Sequence, residues 1–220
     1  MRKQNKHSSF NFECQYNNLQ KKVMNFYRSN TVSIITGDPG TGKTFTAIYY
    51  ALMMLKDAAI EEIIISKPLI EVGSKLGFLP GTEQEKVSVY MDSYGGTFKK
   101  IIGEGAYNNL LNSKKLRFEP VNYVRGTTFE NAIVIMDEAQ GLTLHELVTF
   151  ATRISDSSQL ILLGDLWQAD IKNSGLDPFI RIARGIDKID HMELGDEYQM
   201  RNPMIVNLYK NYKQYLANKL

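Results

Sequence analysis

The chain has 220 residues, 43% hydrophobic and 23% charged, with a formal net charge of +2. That is the composition of an ordinary globular protein, long enough to bury about 70% of its unfolded surface, and too balanced in charge to demand a nucleic acid or membrane partner by itself. One cysteine, Cys14, and three scattered histidines exclude an internal disulfide and a Cys/His zinc site.

The opening MRKQNKHSSFNFECQYNN lacks the apolar run of a signal peptide, and no stretch reaches the roughly 20 apolar residues of a membrane span. The expectation is a cytoplasmic protein with no membrane partner. Both ends are basic, through Arg2, Lys3 and Lys6 and through Lys210, Lys213 and Lys219, charges that solvent ordinarily screens. After a short arm (1–11), the first helix-like segment covers 16–28 and carries Gln20, seventeen positions before Gly37. A glutamine amide offers both the acceptor and the donor that adenine's N6 and N7 require, and it mismatches guanine. The bland alternative is a solvated helix-surface glutamine.

The run VSIIT (32–36) leads into GDPGTGKT, which fits G-x-x-x-x-G-K-[ST] between a strand and a helix-like segment (44–56). In such a loop backbone N–H groups cradle phosphates, the lysine neutralises them and the threonine reaches magnesium. Gly37, Asp38, Pro39, Gly40, Thr41, Gly42, Lys43, Thr44 and Phe45 are therefore the candidate nucleotide-binding residues. The runs IIIS (63–66), AIVIM (132–136) and LILLG (160–164) are apolar on consecutive positions, the pattern of strands buried on both faces. With a further helix-like segment at 144–154, the order predicts an α/β fold, a P-loop, RecA-like three-layer sandwich with a mainly parallel sheet. The interval 66–121 is glycine-spotted and polar, and reads as long surface loops and short helices on the sheet's rim. No repeat or linker is visible, and the roughly 55 residues after Gly164 are too few for another domain, so 1–220 reads as one ATPase domain with a helical tail at 203–220.

DEAQ (137–140) follows the third apolar run, where parallel strands aim their carboxyl ends at a ligand crevice. Asp137 is placed to hold magnesium through water, and Glu138 to accept a proton from the water attacking the terminal phosphate. The competing reading, an acidic helix cap, is weakened because Thr143 is a better cap for the helix beginning LHELV. GDLWQAD, after the fourth run, brings Gly164, Asp165 and Gln168 to a second carboxyl end. Gln168 can donate to a γ-phosphate oxygen and so distinguish ATP from ADP; a solvated turn glutamine is its alternative. Trp167 can stack on a base, or serve packing or an interface. Charge on the γ-phosphoryl group calls for an arginine, with Arg201, Arg153 and Arg125 as candidates.

Gln20, GDPGTGKT, DEAQ and GDLWQAD together resemble the first ATPase domain of superfamily 1 helicases. The longer segments SKPLIEVGSKLGFLPGTEQEKV, YVRGTTFENAIVIMDEAQ and TRISDSSQLILLGDLWQAD look like the PhoH-like family, over roughly 19–212. That resemblance implies ATP and Mg2+ as cofactors, ATP hydrolysis and, for some members, RNA or DNA unwinding. It also implies homo-oligomers, with a hexameric ring as one form. Arg201 resembles the arginine that reaches the γ-phosphate across a domain cleft in superfamily 1 helicases. With no second domain in sight, either the tail folds back over its own nucleotide or a neighbouring chain closes the site, and the second is the expectation.

The leading reading is a nucleic-acid-dependent ATPase acting on single-stranded nucleic acid, RNA ahead of DNA, with Lys67, Lys75 and Arg125 on strand phosphates. Its rivals are a nucleotide-gated oligomeric binding scaffold and a small-molecule kinase. The kinase is disfavoured by a glutamate that positions water.

Overall fold

A computed structural model describes residues 10–68, 83–121, 126, 128–168 and 173–218. Lys75, Arg125 and most of the arm (1–11) lie outside the described residues. Six strands, β1 (Val32–Gly37), β2 (Glu62–Ser66), β3 (Leu116–Phe118), β4 (Ala132–Met136), β5 (Gln159–Gly164) and β6 (Ile189–Leu194), form one sheet in the order β3-β2-β4-β5-β1-β6. Every neighbouring pair is parallel, with registers such as Ile34 opposite Leu162 and Ile63 opposite Ile133.

Alternation of side chains along each strand explains the continuous apolar runs. Ile35, Ile63, Ile133 and Leu163 point into one buried cluster, while Ile34, Ile64, Val134 and Leu162 point into another on the opposite face. Helices α1 (Asn18–Ser29), α2 (Lys43–Lys56), α3 (Glu83–Ile102) and α4 (Glu104–Asn112) cover the first face, and α5 (Leu144–Ala151) and α6 (Leu176–Ala183) cover the second. Each buried Ile, Leu or Val there contributes about 1.5–3 kcal/mol relative to exposure. The result is the expected three-layer α/β sandwich. None of its described helices is long and apolar enough to cross a membrane.

One sequence reading needs correction. The interval read as rim loops holds the 20-residue helix α3, then α4 and the edge strand β3. The Gly95-Gly96 pair that looks like a breaker sits inside α3, where a Cβ on Gly95 would lie 3.0 Å from the Tyr107 hydroxyl of α4. Glycine there allows the two helices to approach. Strand β6, IDHMEL, mixes apolar and charged residues on both faces and is half exposed, as a charged edge strand is. The last helix, α7 (Pro203–Ala217), crosses the carboxyl ends of the strands, and no residue of it is buried.

Candidate active site

Strand β1 ends at Gly37, and the chain bends through left-handed Gly40 and Gly42 before α2 begins at Lys43. The first N–H groups of α2 have no partner within the helix, which makes this bend an anion cradle. Lys43 Nζ donates to the carbonyls of Gly37 (2.5 Å) and Asp38 (3.1 Å). Burial pulls its pKa down, and Asp165, Asp137, Glu138 and Asp38 oppose that shift. Thr41 Oγ1 donates to the Asp38 carbonyl at 2.8 Å and fixes the loop's turn. Phe45 packs on the Tyr49 ring beneath Lys100.

Strand β4 delivers Asp137. Its Oδ2 accepts from the Thr44 hydroxyl (3.0 Å) and the Tyr94 hydroxyl (3.1 Å), and its Oδ1 from the Glu138 N–H (3.0 Å). Burial, reinforced by the neighbouring Glu138, pushes this carboxyl above its ordinary range. Glu138 itself has a left-handed backbone, φ 57° and ψ 40°, a conformation that costs energy outside glycine and clusters at functional sites. Gln140 holds its side chain: Nε2 donates to Glu138 Oε2 at 2.6 Å, while Oε1 accepts the Asp165 N–H at 3.0 Å. One buried amide thus ties the end of β4 to the end of β5. Gln140 stood in the DEAQ motif, yet the motif alone did not reveal this bridging.

At the end of β5, Asp165 Oδ1 accepts from the Trp167 N–H (2.9 Å) and Oδ2 from the Tyr209 hydroxyl of α7 (2.8 Å). Gln168 lies beside the same hydroxyl, and burial with Asp165 drives the Tyr209 phenol far above its usual pKa. Pro39, Gly40, Gly42, Lys43, Thr44, Phe45, Asp137, Glu138, Gly164, Asp165, Gln168 and Arg201 line one cavity of about 270 Å³.

The C-terminal segment corrects one further expectation. Lys210 and Lys213 are paired rather than merely solvated, with Asp196 at 2.6 Å and Asp38 at 2.7 Å. The tail also folds back over its own loop: Met200 N–H donates to the Gly40 carbonyl (3.1 Å), and Gln199 Nε2 to that of Pro39 (3.2 Å). Arg201 lies so close that a Cβ on Gly40, at φ +93°, would be 2.6 Å from its Cγ. The tail of this chain thus supplies one wall of the cavity, through Arg201. Helix α7 is attached through Tyr209, Lys210 and Lys213, and its Met204, Leu208, Tyr212 and Tyr215 face solvent.

Other candidates fall elsewhere. Gln20 is buried and closes a capping box on α1, its Oε1 accepting the Asn17 N–H at 2.8 Å; its Nε2 makes no hydrogen bond among the described residues. It does not line the cavity. Arg153 lies just before β5, at the opposite end of the sheet from Gly164, with a buried Nε that finds no partner among the described residues. It therefore cannot reach the phosphate loop of its own chain. Lys67 follows β2 at the carboxyl edge but outside the cavity. Trp167 is 43% exposed, with Lys213 Nζ 5.9 Å from its ring centre.

A parallel sheet in which β1 ends in GDPGTGKT and an Asp-Glu pair ends the strand two places along defines a P-loop NTPase. Within that class, the chain belongs to the PhoH-like protein family, whose model matches residues 15–213. It is 33% identical over 196 residues to a PhoH-like protein of Bacillus subtilis, covering 88% of this chain and 61% of that one. To Protein PhoH of Escherichia coli K12 it is 29% identical over 193 residues, covering 86% and 54%. The chain thus spans little more than half the length of these curated relatives. The Sulfolobus solfataricus SWI2/SNF2 ATPase core in complex with dsDNA is similar at TM-score 0.51 and 14% identity, over 95% of this chain and 54% of that one, a likeness of fold alone.

Proposed function

We propose that this chain binds ATP with magnesium and hydrolyses it, and that single-stranded nucleic acid, RNA ahead of DNA, speeds the reaction. The observation that carries this reading is the convergence of Lys43, Glu138, Gln168 and Arg201 on one cavity at the carboxyl ends of β1, β4 and β5. Magnesium fits the donors present. The Thr44 hydroxyl and the Asp137 carboxylate are 3.0 Å apart at the cavity wall, and an ion held largely by phosphate oxygens and water asks for little more from the protein. Such an ion neutralises phosphate charge when bound.

Lys43 then neutralises the phosphates, and Glu138, held by Gln140, orients the attacking water and takes its proton. Arg201 meets the charge that spreads over the γ-phosphoryl group, acting within its own chain. A homo-oligomer such as a hexameric ring would serve strand binding rather than supply that arginine. Gln168 reads the γ-phosphate and passes its state to Tyr209 and α7.

The test is a steady-state ATPase assay with single-stranded RNA, single-stranded DNA, duplex or no addition. We expect stimulation by single strands, less by duplex, falling steeply with salt because the contacts are to the backbone. Gln168→Ala should keep ATP binding and lose stimulation. A rate indifferent to every strand type, with no binding by fluorescence anisotropy, would instead favour the nucleotide-gated scaffold, a reading supported by the solvent-facing Met204, Leu208 and Tyr212.

A further inference from the structure

The hydroxyl of Tyr94 reaches Asp137 from outside every motif that builds the cavity. Tyr94 is buried on α3 with its ring against Phe118, the last residue of β3, at 6.0 Å between ring centres. Its O–H donates to Asp137 Oδ2 at 3.1 Å, the oxygen that also accepts from Thr44 at 3.0 Å. Among the described residues the remaining donor to this carboxylate is the Glu138 N–H, on Oδ1 at 3.0 Å.

These three donors differ in where they come from. The Thr44 hydroxyl belongs to the phosphate loop and can offer a lone pair to magnesium while its O–H still donates to Asp137, so that bond ties Oδ2 to the loop. The Glu138 N–H is fixed by the backbone but touches only Oδ1. Tyr94 is, among the described residues, the donor to Oδ2 that comes from outside the phosphate loop, and it holds that oxygen with a rigid ring that carries few rotatable bonds. Outer partners of this kind set the orientation and affinity of metal-binding carboxylates.

We infer that Tyr94 is a positioning residue for the magnesium carboxylate, and that it makes the affinity for the cation depend on where helix α3 sits. The inference rests on the magnesium-ATPase reading above. A displacement of α3 by about an ångström stretches this bond beyond hydrogen-bonding distance, so the helix and the cation site are coupled through one hydroxyl.

The test uses Tyr94→Phe, which keeps the ring and its packing and removes only the donor. The full chain and this variant are titrated with magnesium chloride in the presence of a fluorescent, non-hydrolysable ATP analogue. Melting temperature without nucleotide and kcat at saturating magnesium are measured alongside. We expect analogue affinity without magnesium to be unchanged, half-saturating magnesium to rise about tenfold, and kcat to recover at saturating magnesium. The same magnesium dependence in both proteins would overturn the inference. So would a variant that melts earlier and loses affinity equally with and without the ion, because that marks packing alone. If the parent chain binds the analogue without regard to magnesium, the ATPase reading fails and the inference falls with it. Binding that depends on magnesium in the parent, but identically in the variant, removes the inference and leaves that reading standing.

Discussion

Lys213, on the last helix, grips both carboxylate oxygens of Asp38 in the phosphate loop, at 2.7 and 2.9 Å. Its ammonium also lies 5.9 Å from the ring centre of Trp167, the chain's one tryptophan. A partly exposed ion pair of this kind is worth about 1 kcal/mol or less. Lys213→Met should therefore barely move the melting temperature while changing Trp167 emission. Raising salt should shift the emission of the parent chain toward that of the variant. Unchanged emission in Lys213→Met would show that the helix is held by something else.

The roles of Lys43 and Glu138 separate by what each variant keeps. Lys43→Ala should lose ATP affinity. Glu138→Gln retains an amide that Gln140 can still bond but cannot take a proton, so binding should persist while kcat falls by about 10²–10⁴. Near-normal turnover by Glu138→Gln, measured by phosphate release, would remove it from the chemistry.

Arg201 lies against its own Gly40, so complementation between chains should fail. Arg201→Ala is expected to lose about 10³-fold or more in kcat. Mixing it with Lys43→Ala chains, under conditions where subunits demonstrably exchange, should restore no activity. Recovery would mean that the arginine acts on a neighbour. Gly40→Ala should do more than Arg201→Ala and weaken ATP binding as well, because the methyl takes the arginine's place and also strains a phosphate loop held at φ +93°.

Gln20 combines a structural and a proposed recognition role that one substitution can split. Glutamate at this position still accepts the Asn17 N–H and preserves the capping box, but it cannot donate to adenine. Gln20→Glu should melt with the parent and show a narrower preference for ATP over GTP, whereas Gln20→Ala should also lose about 0.5–1 kcal/mol of stability. If competition binding shows selectivity intact in both, Gln20 is a cap only.

His191 on β6 gives the fold an acid limit. Its Nε2 and the Thr36 hydroxyl are 2.7 Å apart, and burial holds its pKa below the ordinary 6.5. The folded chain therefore binds fewer protons here than the unfolded one. That contribution is present above the unfolded pKa and is lost as pH falls through the lowered folded value. Melting curves should show the parent losing stability below about pH 6.5 more steeply than His191→Gln.

Strands β1, β2, β4 and β5 were legible because burial on both faces writes an uninterrupted apolar run, and the loops after β1, β4 and β5 carry spacings that phosphate chemistry dictates. Strand β3 is too short to show a pattern, and β6, at the sheet's edge, breaks its apolar run with Asp190, His191 and Glu193. Helix α3 was hidden by Gly95 and Gly96, residues that read as breakers until Tyr107 of α4 is seen against the first of them. Tyr94 and Lys213 escaped for a different reason. Each reaches the site from an element remote in sequence, and neither spacing nor periodicity encodes a contact made only by packing.

Helix α7 wears its polarity inside out: Lys210, Lys213 and the Tyr209 phenol face the domain, and Met204, Leu208, Tyr212 and Tyr215 face water. A helix attached this way adds little to the cooperativity of unfolding, because almost none of the apolar surface that drives folding is sealed beneath it. Its hold on the domain is instead set by ionic strength and by the charge that arrives with a ligand. Protease should accordingly clip near Pro203 long before the sheet yields, leaving a fragment that still melts as a cooperative unit but no longer carries Lys213 on its phosphate loop.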